Sequence, residues 1–365
     1  MTPVLRLIAD DLTGALDTAA EMAGLCGPVP VRWDAAHATG SQAVATNTRD
    51  AAREAAVAQV RDAAPLLDGA AIAFKKLDSL LRGHPFAELA ACLQGGRFRS
   101  VVLAPAFPAQ GRVTRLGAQF ARQADGGWQA VGAPLAALLA AEGLDCAQAD
   151  PAMPLPGGIA VFDAETEDDL RRVVACGEDA RGPILWCGSG GLGRALGAAR
   201  PVRPDTALRG PVLGLFGTRH AVTLRQLGAC GDAFMALPED GDARRVAHAL
   251  SRRGAALVGL DLPPLPAEEA ARRVARAFAA LVRQMDPPGT LLVSGGETLA
   301  GLCAALGAEA LEATGLVAPG VPRSLLRGGR WDGVAVVSKS GAFGADGLWR
   351  DLLASNGFIA DMRTT

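Results

Sequence analysis

The chain has 365 residues, half of them apolar and 20% charged, and carries a formal net charge of -2. That length and core fraction suit two globular domains, while near-neutral charge, 4% aromatics and no tyrosine exclude a nucleic-acid footprint and favour small-molecule chemistry. Seven scattered cysteines without a C-x-x-C pair, and four scattered histidines, exclude a disulfide framework and a zinc cluster and place reduced thiols in the cytoplasm.

Taken in chain order, short apolar runs read as strands at 4–9, 29–33, 43–46, 70–75, 101–104, 159–162 and 184–187, then at 212–216, 233–237, 255–260, 291–294 and 334–338. Helical spacing fills the gaps at 13–25, 50–64, 86–94, 133–142, 165–176, 221–229, 242–253, 267–285, 297–307 and 346–355. Such alternation predicts an α/β fold of mostly parallel sheets, and the near-continuous apolar strands predict sheets covered by helices on both faces. Asp10 and Asp11 interrupt the first apolar run, so it is not a leader; the uncharged stretch 128–141 is too short to span a bilayer, contains Pro134 and reads as a loop entering a buried helix. Residues 197–211 hold three prolines and no periodicity, which predicts a linker and two domains, 1–204 and 205–365.

Chemistry-bearing residues gather at strand ends, where open α/β sheets bind ligands. After the first strand stand Asp10 and Asp11, with Thr13 and Gly14 opening a helix that also carries Asp17. Adjacent carboxylates grip hydroxyls, hold a cation or act as a base; one alone would be a helix cap. After the fourth strand, Lys76, Asp78, Ser79 and Arg82 put two cations, a carboxylate and a hydroxyl in one loop, the set a hydroxylated acid requires. Pro105 to Arg112 form a rigid turn bearing Gln110 and Arg112, as much structural as functional on sequence grounds. Residues 188–193 fit G-x-G-x-x-G, but the proline-rich linker replaces the acidic residue that a dinucleotide site places about 20 residues on, so a packing turn is the better reading.

In the second half, strand–glycine–hydroxyl–helix junctions at Gly217–Thr218 and at Ser294, Gly295, Gly296, Glu297 and Thr298, and a third turn at Lys339 to Gly341, offer backbone N–H groups to phosphates. No P-loop or protein-kinase signature accompanies them. Lysine use sharpens the picture. Only Lys75, Lys76 and Lys339 occur among 36 cationic residues, all in these segments, and a role in binding anions is expected for at least two of them.

Together IADDLTGALDTA (8–19), KKLDSLLRG (75–83), PAFPAQGR (105–112), FDAETEDDL (162–170), CGSGGLGRAL (187–196), GTRHAVTLRQL (217–227), SGGETLAGL (294–302), PGVP (319–322) and KSGAFG (339–344) resemble, in order, the four-carbon acid sugar kinase family. The resemblance implies a sugar-acid-binding first domain, a nucleotide-binding second domain, an active site in the cleft between them, and ATP- and Mg²⁺-dependent phosphorylation of the terminal hydroxyl of threonate, erythronate or 3-oxo-tetronate. By motif, Asp10, Asp11, Lys76, Asp78, Ser79 and Arg82 would face the acid. Thr218, Ser294 to Thr298 and Gly341 would face ATP, with Lys339 nearby. Arg82 and Lys76 would hold the carboxylate, and Asp78 or Asp11 would orient or deprotonate the attacking hydroxyl. Thr218, Arg219 and His220 replace the serines usual in the family's turn. The rival readings are a non-catalytic sugar-acid sensor and an NAD-dependent dehydrogenase built on 188–193. Uncovered strand edges leave a homodimer open.

Overall fold

A computed structural model describes residues 2–34 and 39–360. The chain divides into two compact units, Met1–Val202 and Arg203–Thr365. In the first, elements follow as β1 (Leu5–Ala9), α1 (Leu12–Cys26), β2 (Val29–Arg32), β3 (Gln42–Ala45), α2 (Arg53–Ala63), β4 (Ile72–Lys76), α3 (Pro85–Leu93), β5 (Ser100–Ala104), β6 (Arg112–Arg115), β7 (Ala118–Arg122), β8 (Trp128–Ala130), α4 (Leu135–Ala140), β9 (Cys146–Ala149), β10 (Gly158–Phe162), α5 (Glu167–Glu178), β11 (Ile184–Gly188) and α6 (Gly190–Gly197).

The sheet of this unit is parallel throughout, in the order β2-β3-β1-β4-β11-β5-β10-β9. From β1 the chain builds first toward β3 and β2, then reverses to β4 and beyond. The switch point therefore lies between β1 and β4, where a doubly wound sheet opens a crevice at its carboxyl ends. Beneath it, Ile8, Leu103, Val161 and Leu185 from the strands pack with Leu89 and Leu139 from the helices. Outside the sheet, β6, β7 and β8 form a small antiparallel meander.

The second unit runs β12 (Val212–Phe216), α7 (Ala221–Gly228), β13 (Phe234–Leu237), α8 (Ala243–Arg253), β14 (Ala255–Leu260), α9 (Ala267–Arg283), β15 (Thr290–Ser294), α10 (Gly296–Leu306), β16 (Ala310–Ala318), β17 (Val321–Arg327), β18 (Ala335–Lys339) and α11 (Leu348–Ser355). Strands β13-β14-β12-β15-β18 are parallel, and β17 and β16 extend them antiparallel. Its switch point falls between β12 and β15 by the same logic. Phe216 is paired with Ser294 and Ser294 with Lys339, so three strands end level. No described helix is long and apolar enough to cross a membrane.

The main departures from the sequence reading are antiparallel. The meander and the β16–β17 hairpin were not expected, and 128–141 divides into the exposed strand β8 and the short helix α4, which buries Leu135 and Leu139.

Candidate active site

The apolar strand β1 delivers two carboxylates to the switch point. Asp11 caps α1, its Oδ1 accepting from the Gly14 N–H at 3.1 Å and its Oδ2 from the Thr13 hydroxyl at 2.5 Å. Asp10 is buried, and its carbonyl accepts from the N–H groups of Thr48 and Arg49, drawing the segment after β3 across the site. Arg49 then bridges both acids. Its Nε donates to Asp10 Oδ2 at 2.7 Å, its Nη2 to Asp10 Oδ1 at 3.0 Å and to Asp11 Oδ1 at 2.6 Å, and Nη2 lies 3.6 Å from Asp78 Oδ1. Burial opposes that charge, yet Asp11 and Asp10 raise the guanidinium pKa above its ordinary value. Arg49 was not singled out from the sequence. The available signal was its position just beyond an apolar strand, the rule that found the others.

From β4, Asp78 accepts a two-pronged contact from Arg82, Nε to Oδ2 at 2.9 Å and Nη2 to Oδ1 at 2.8 Å, and caps its own loop through the Leu80 N–H. Burial alone would raise the Asp78 carboxyl; Arg82 hydrogen bonds and the charges of Arg49, Arg82 and Lys76 overcome this and hold it well below the usual carboxylate range. So depressed an acid is a weak proton acceptor, so Asp78 suits orienting a hydroxyl rather than deprotonating it. Burial depresses Arg112, which feels the charges of Asp78 and Arg82, placing the 105–112 turn beside this cluster. Ser79 is buried, and its carbonyl accepts from Gln119 Nε2 at 2.9 Å. Gln119, on β7, also takes the Thr114 hydroxyl at 2.7 Å.

The adjacent lysines separate because neighbouring strand residues face opposite ways. Lys76 is buried on the α1 side, where its Nζ donates to the Leu77 carbonyl at 2.8 Å and lies 2.9 Å from where a Cβ on Gly14 would stand; glycine at 14 leaves the ammonium its room. Lys75 is fully enclosed in an ion pair with Glu88 at 2.7 Å, and Glu88 also accepts from Thr48 Oγ1 at 2.6 Å. Lys75 is a core residue and does not serve an anion site.

The glycines of 188–193 are buried as well. A Cβ on Gly191 would lie 2.5 Å from the Ala106 carbonyl, and one on Gly193 2.6 Å from Thr18 Cγ2. They let α6 press against α1 and the turn after β5, leaving no room there for a pyrophosphate. The dehydrogenase reading falls with that packing.

In the second unit, three level strand ends bring their turns into contact. A Cβ on Gly217 would meet Thr298 Oγ1 at 2.0 Å, and one on Gly341 would meet Thr218 Oγ1 at 2.6 Å. Gly295, at φ 111°, precedes α10, which begins at Gly296 without a side-chain cap, so its first N–H groups, with Glu297 exposed and Thr298 buried, suit a phosphate. Lys339 lies buried under the turn and donates to Thr223 Oγ1 at 2.9 Å, Ser340 O at 3.2 Å and Gly341 O at 3.3 Å. Thr223 also contacts Ser294 Oγ at 3.1 Å and donates to Gly341 O at 2.9 Å, a junction the sequence did not reveal. Burial pushes the Lys339 ammonium down to about 7. It shapes the turn from beneath rather than reaching outward. His220 caps α7 through the Val222 N–H, while Arg219 is exposed.

Residues 5–137 match the family described as the sugar-binding N-terminal domain, and 239–348 the nucleotide-binding C-terminal domain. Among curated proteins, the chain is 33% identical to a D-threonate kinase of Cupriavidus necator, covering 94% of this chain and 96% of that one. It is 30% identical to a D-threonate kinase of Bordetella bronchiseptica, at 94% and 95% coverage. Solved proteins from Salmonella typhimurium (TM-score 0.74, 20% identity, 95% and 98% coverage) and Haemophilus influenzae (0.71, 19%, 97% and 100%) share the fold.

Proposed function

The chain belongs to the four-carbon acid sugar kinase family, and from that premise we propose that it transfers the γ-phosphoryl group of ATP to a hydroxyl of a four-carbon sugar acid, D-threonate first among them. One observation carries this reading: Asp10, Asp11, Lys76, Asp78 and Arg82 converge with Arg49 at the β1–β4 switch point, an array of acceptors and cations matched to a polyhydroxy acid.

Arg49 is committed to carboxylates, whereas Lys76 donates to a single carbonyl and Arg82 is half exposed. Lys76 and the outer edge of Arg82 take the substrate carboxylate, and Asp10, Asp11 and Asp78 accept from its hydroxyls. Phosphoryl transfer asks chiefly for alignment and charge neutralisation, so a weakly basic Asp78 that aims the hydroxyl is sufficient. The uncapped start of α10 and the turns at Gly217–Thr218 and Gly341 take the phosphate chain. When bound, Mg²⁺ would neutralise developing phosphate charge, and the exposed carboxylate of Glu297 is the group that would help to hold it.

The test is ADP release with ATP and Mg²⁺ against D-threonate, L-threonate, both erythronates and 3-oxo-tetronates. Release with D-threonate supports the reading. Silence across the panel from folded protein overturns it, and acid-dependent thermal stabilisation without turnover would establish a sugar-acid-binding protein instead.

A further inference from the structure

The turn after β18 is fastened from below by α7. Gln226 on that helix is fully buried, and its Nε2 donates to three successive carbonyls, Phe343 at 3.2 Å, Gly344 at 3.1 Å and Ala345 at 2.9 Å. Its Oε1 is buried as well and has no partner among the described residues. An amide left half satisfied in the interior costs stability, and an apolar side chain would fill the same space without that cost. The glutamine is therefore explained by what its donor does to the turn. In a trans peptide the C=O of one residue and the N–H of the next point in opposite directions, and the peptide bonds of this turn are trans. With the carbonyls of Phe343, Gly344 and Ala345 drawn in by Gln226, the N–H groups of Gly344, Ala345 and Asp346 face away from α7. One turn earlier on the helix, Thr223 donates to the Gly341 carbonyl at 2.9 Å, and Lys339 donates to the carbonyls of Ser340 and Gly341. The N–H groups of Gly341 and Ala342 are thereby turned from the buried side too. None of these N–H groups has an acceptor among the described residues.

We propose that residues 340–346 form a backbone nest for the phosphate chain of a nucleoside triphosphate, and that Gln226 is its positioning residue, aiming N–H groups at a ligand it does not touch. The inference rests on the nucleotide reading given above and extends it from Gly341 to the whole turn. A run of N–H groups facing one way attracts an anion without a charged side chain, which suits a turn whose lysine lies buried beneath it. The turn's own carboxylate, Asp346, is paired with Arg225 at 3.1 Å on the exposed side of α7, which offsets its charge. Thr223, Arg225 and Gln226 thus bind one turn to one helix, and the same helix begins at the Gly217–Thr218 turn. Two of the phosphate-facing turns are held to α7 as a single body.

The probe is a non-hydrolysable ATP analogue with Mg²⁺, titrated by calorimetry into the unsubstituted protein and into Gln226→Met, which keeps the side-chain length and removes the donor. Its dissociation constant should rise about tenfold in Gln226→Met. Gly344→Ala disturbs the same contact from the turn, because a Cβ there would lie 2.7 Å from Leu348 Cδ2 and 3.2 Å from Gln226 Nε2, at a φ of 86°. It should weaken binding likewise, and it decides the matter if Gln226→Met does not fold. A folded variant that binds as tightly as the parent overturns this proposal alone. An unsubstituted protein that binds no analogue overturns the nucleotide reading and this proposal with it. In turnover with D-threonate, Gln226→Met should raise the KM for ATP about tenfold and leave the KM for the acid unchanged; a matched rise in both would mark a general structural effect and overturn the positioning role.

Discussion

Replacing Lys75 by methionine tests whether the first of the paired lysines is structural. Its Nζ sits 2.7 Å from Glu88 Oε2 and 3.0 Å from the Lys76 carbonyl, and both charged side chains are fully enclosed. At an effective dielectric of 20, that separation gives about 6 kcal/mol of attraction, set against several kcal/mol of desolvation for each ion. The intact pair therefore contributes little net stability, but Lys75→Met strands Glu88 with only the Thr48 hydroxyl, at a cost of about 3–5 kcal/mol. For a unit of this size the loss corresponds to roughly 10 °C in Tm. Lys75→Met/Glu88→Leu removes both charges, and Thr48 retains its contact with Thr46 Oγ1 at 2.8 Å, so most of the loss should be recovered. Urea and thermal melts followed by circular dichroism would read this. A single variant within about 1 kcal/mol of the parent, or a double variant as unstable as the single, would refute the reasoning. A stable Lys75→Met with a raised KM for D-threonate would return Lys75 to the site.

Asp78→Asn keeps the side-chain shape but weakens it as an acceptor, so a misaimed hydroxyl should lower turnover about a hundredfold or more while the KM for ATP is preserved; near-normal turnover would remove Asp78 from the aligning role. Because the folded-state pKa of Asp78 is depressed, its stabilisation is complete above about pH 4 and is lost as pH falls below that. Acid melts of Asp78→Asn should therefore lack that component. Lys339 behaves oppositely. Its pKa is lowered to about 7, so between there and the ordinary lysine value the unfolded chain holds a proton that the folded one does not. Stability should rise with pH across that window by at most about 1.4 kcal/mol per unit, and Lys339→Met should flatten the rise.

The sequence exposed those parts of the fold and site that depend on local pattern. Parallel strands buried on both faces are unbroken apolar runs, and their helices carry caps such as Thr166 with Asp169, so these elements appear within a few residues of their expected positions. β8 is exposed along its whole length, and β16 and β17 alternate buried with half-buried residues. A search for continuous apolar runs passes over such strands. In the candidate site, the convergence of Asp10, Asp11, Asp78 and Arg82 was legible because two short segments at neighbouring strand ends hold them. Arg49 enters through three long-range carboxylate contacts, and Thr223 through the turn at 341, neither encoded by spacing. Lysine scarcity pointed to segments that border the candidate sites but could not tell which face of β4 each lysine takes, since that depends on register, and Lys75 lies in the core instead.

The buried amide of Gln119 gives the meander an influence out of proportion to its size. It is held by Thr114 within the meander, and it in turn holds the carbonyl of Ser79 and, at 3.3 Å, that of Pro105. Two loops bordering the crevice thus hang from one side chain belonging to neither. Under the proposed function, substitutions in β6–β8 should retune acid preference by shifting the Asp78–Arg82 loop as a body while the candidate ligand-facing residues stay the same.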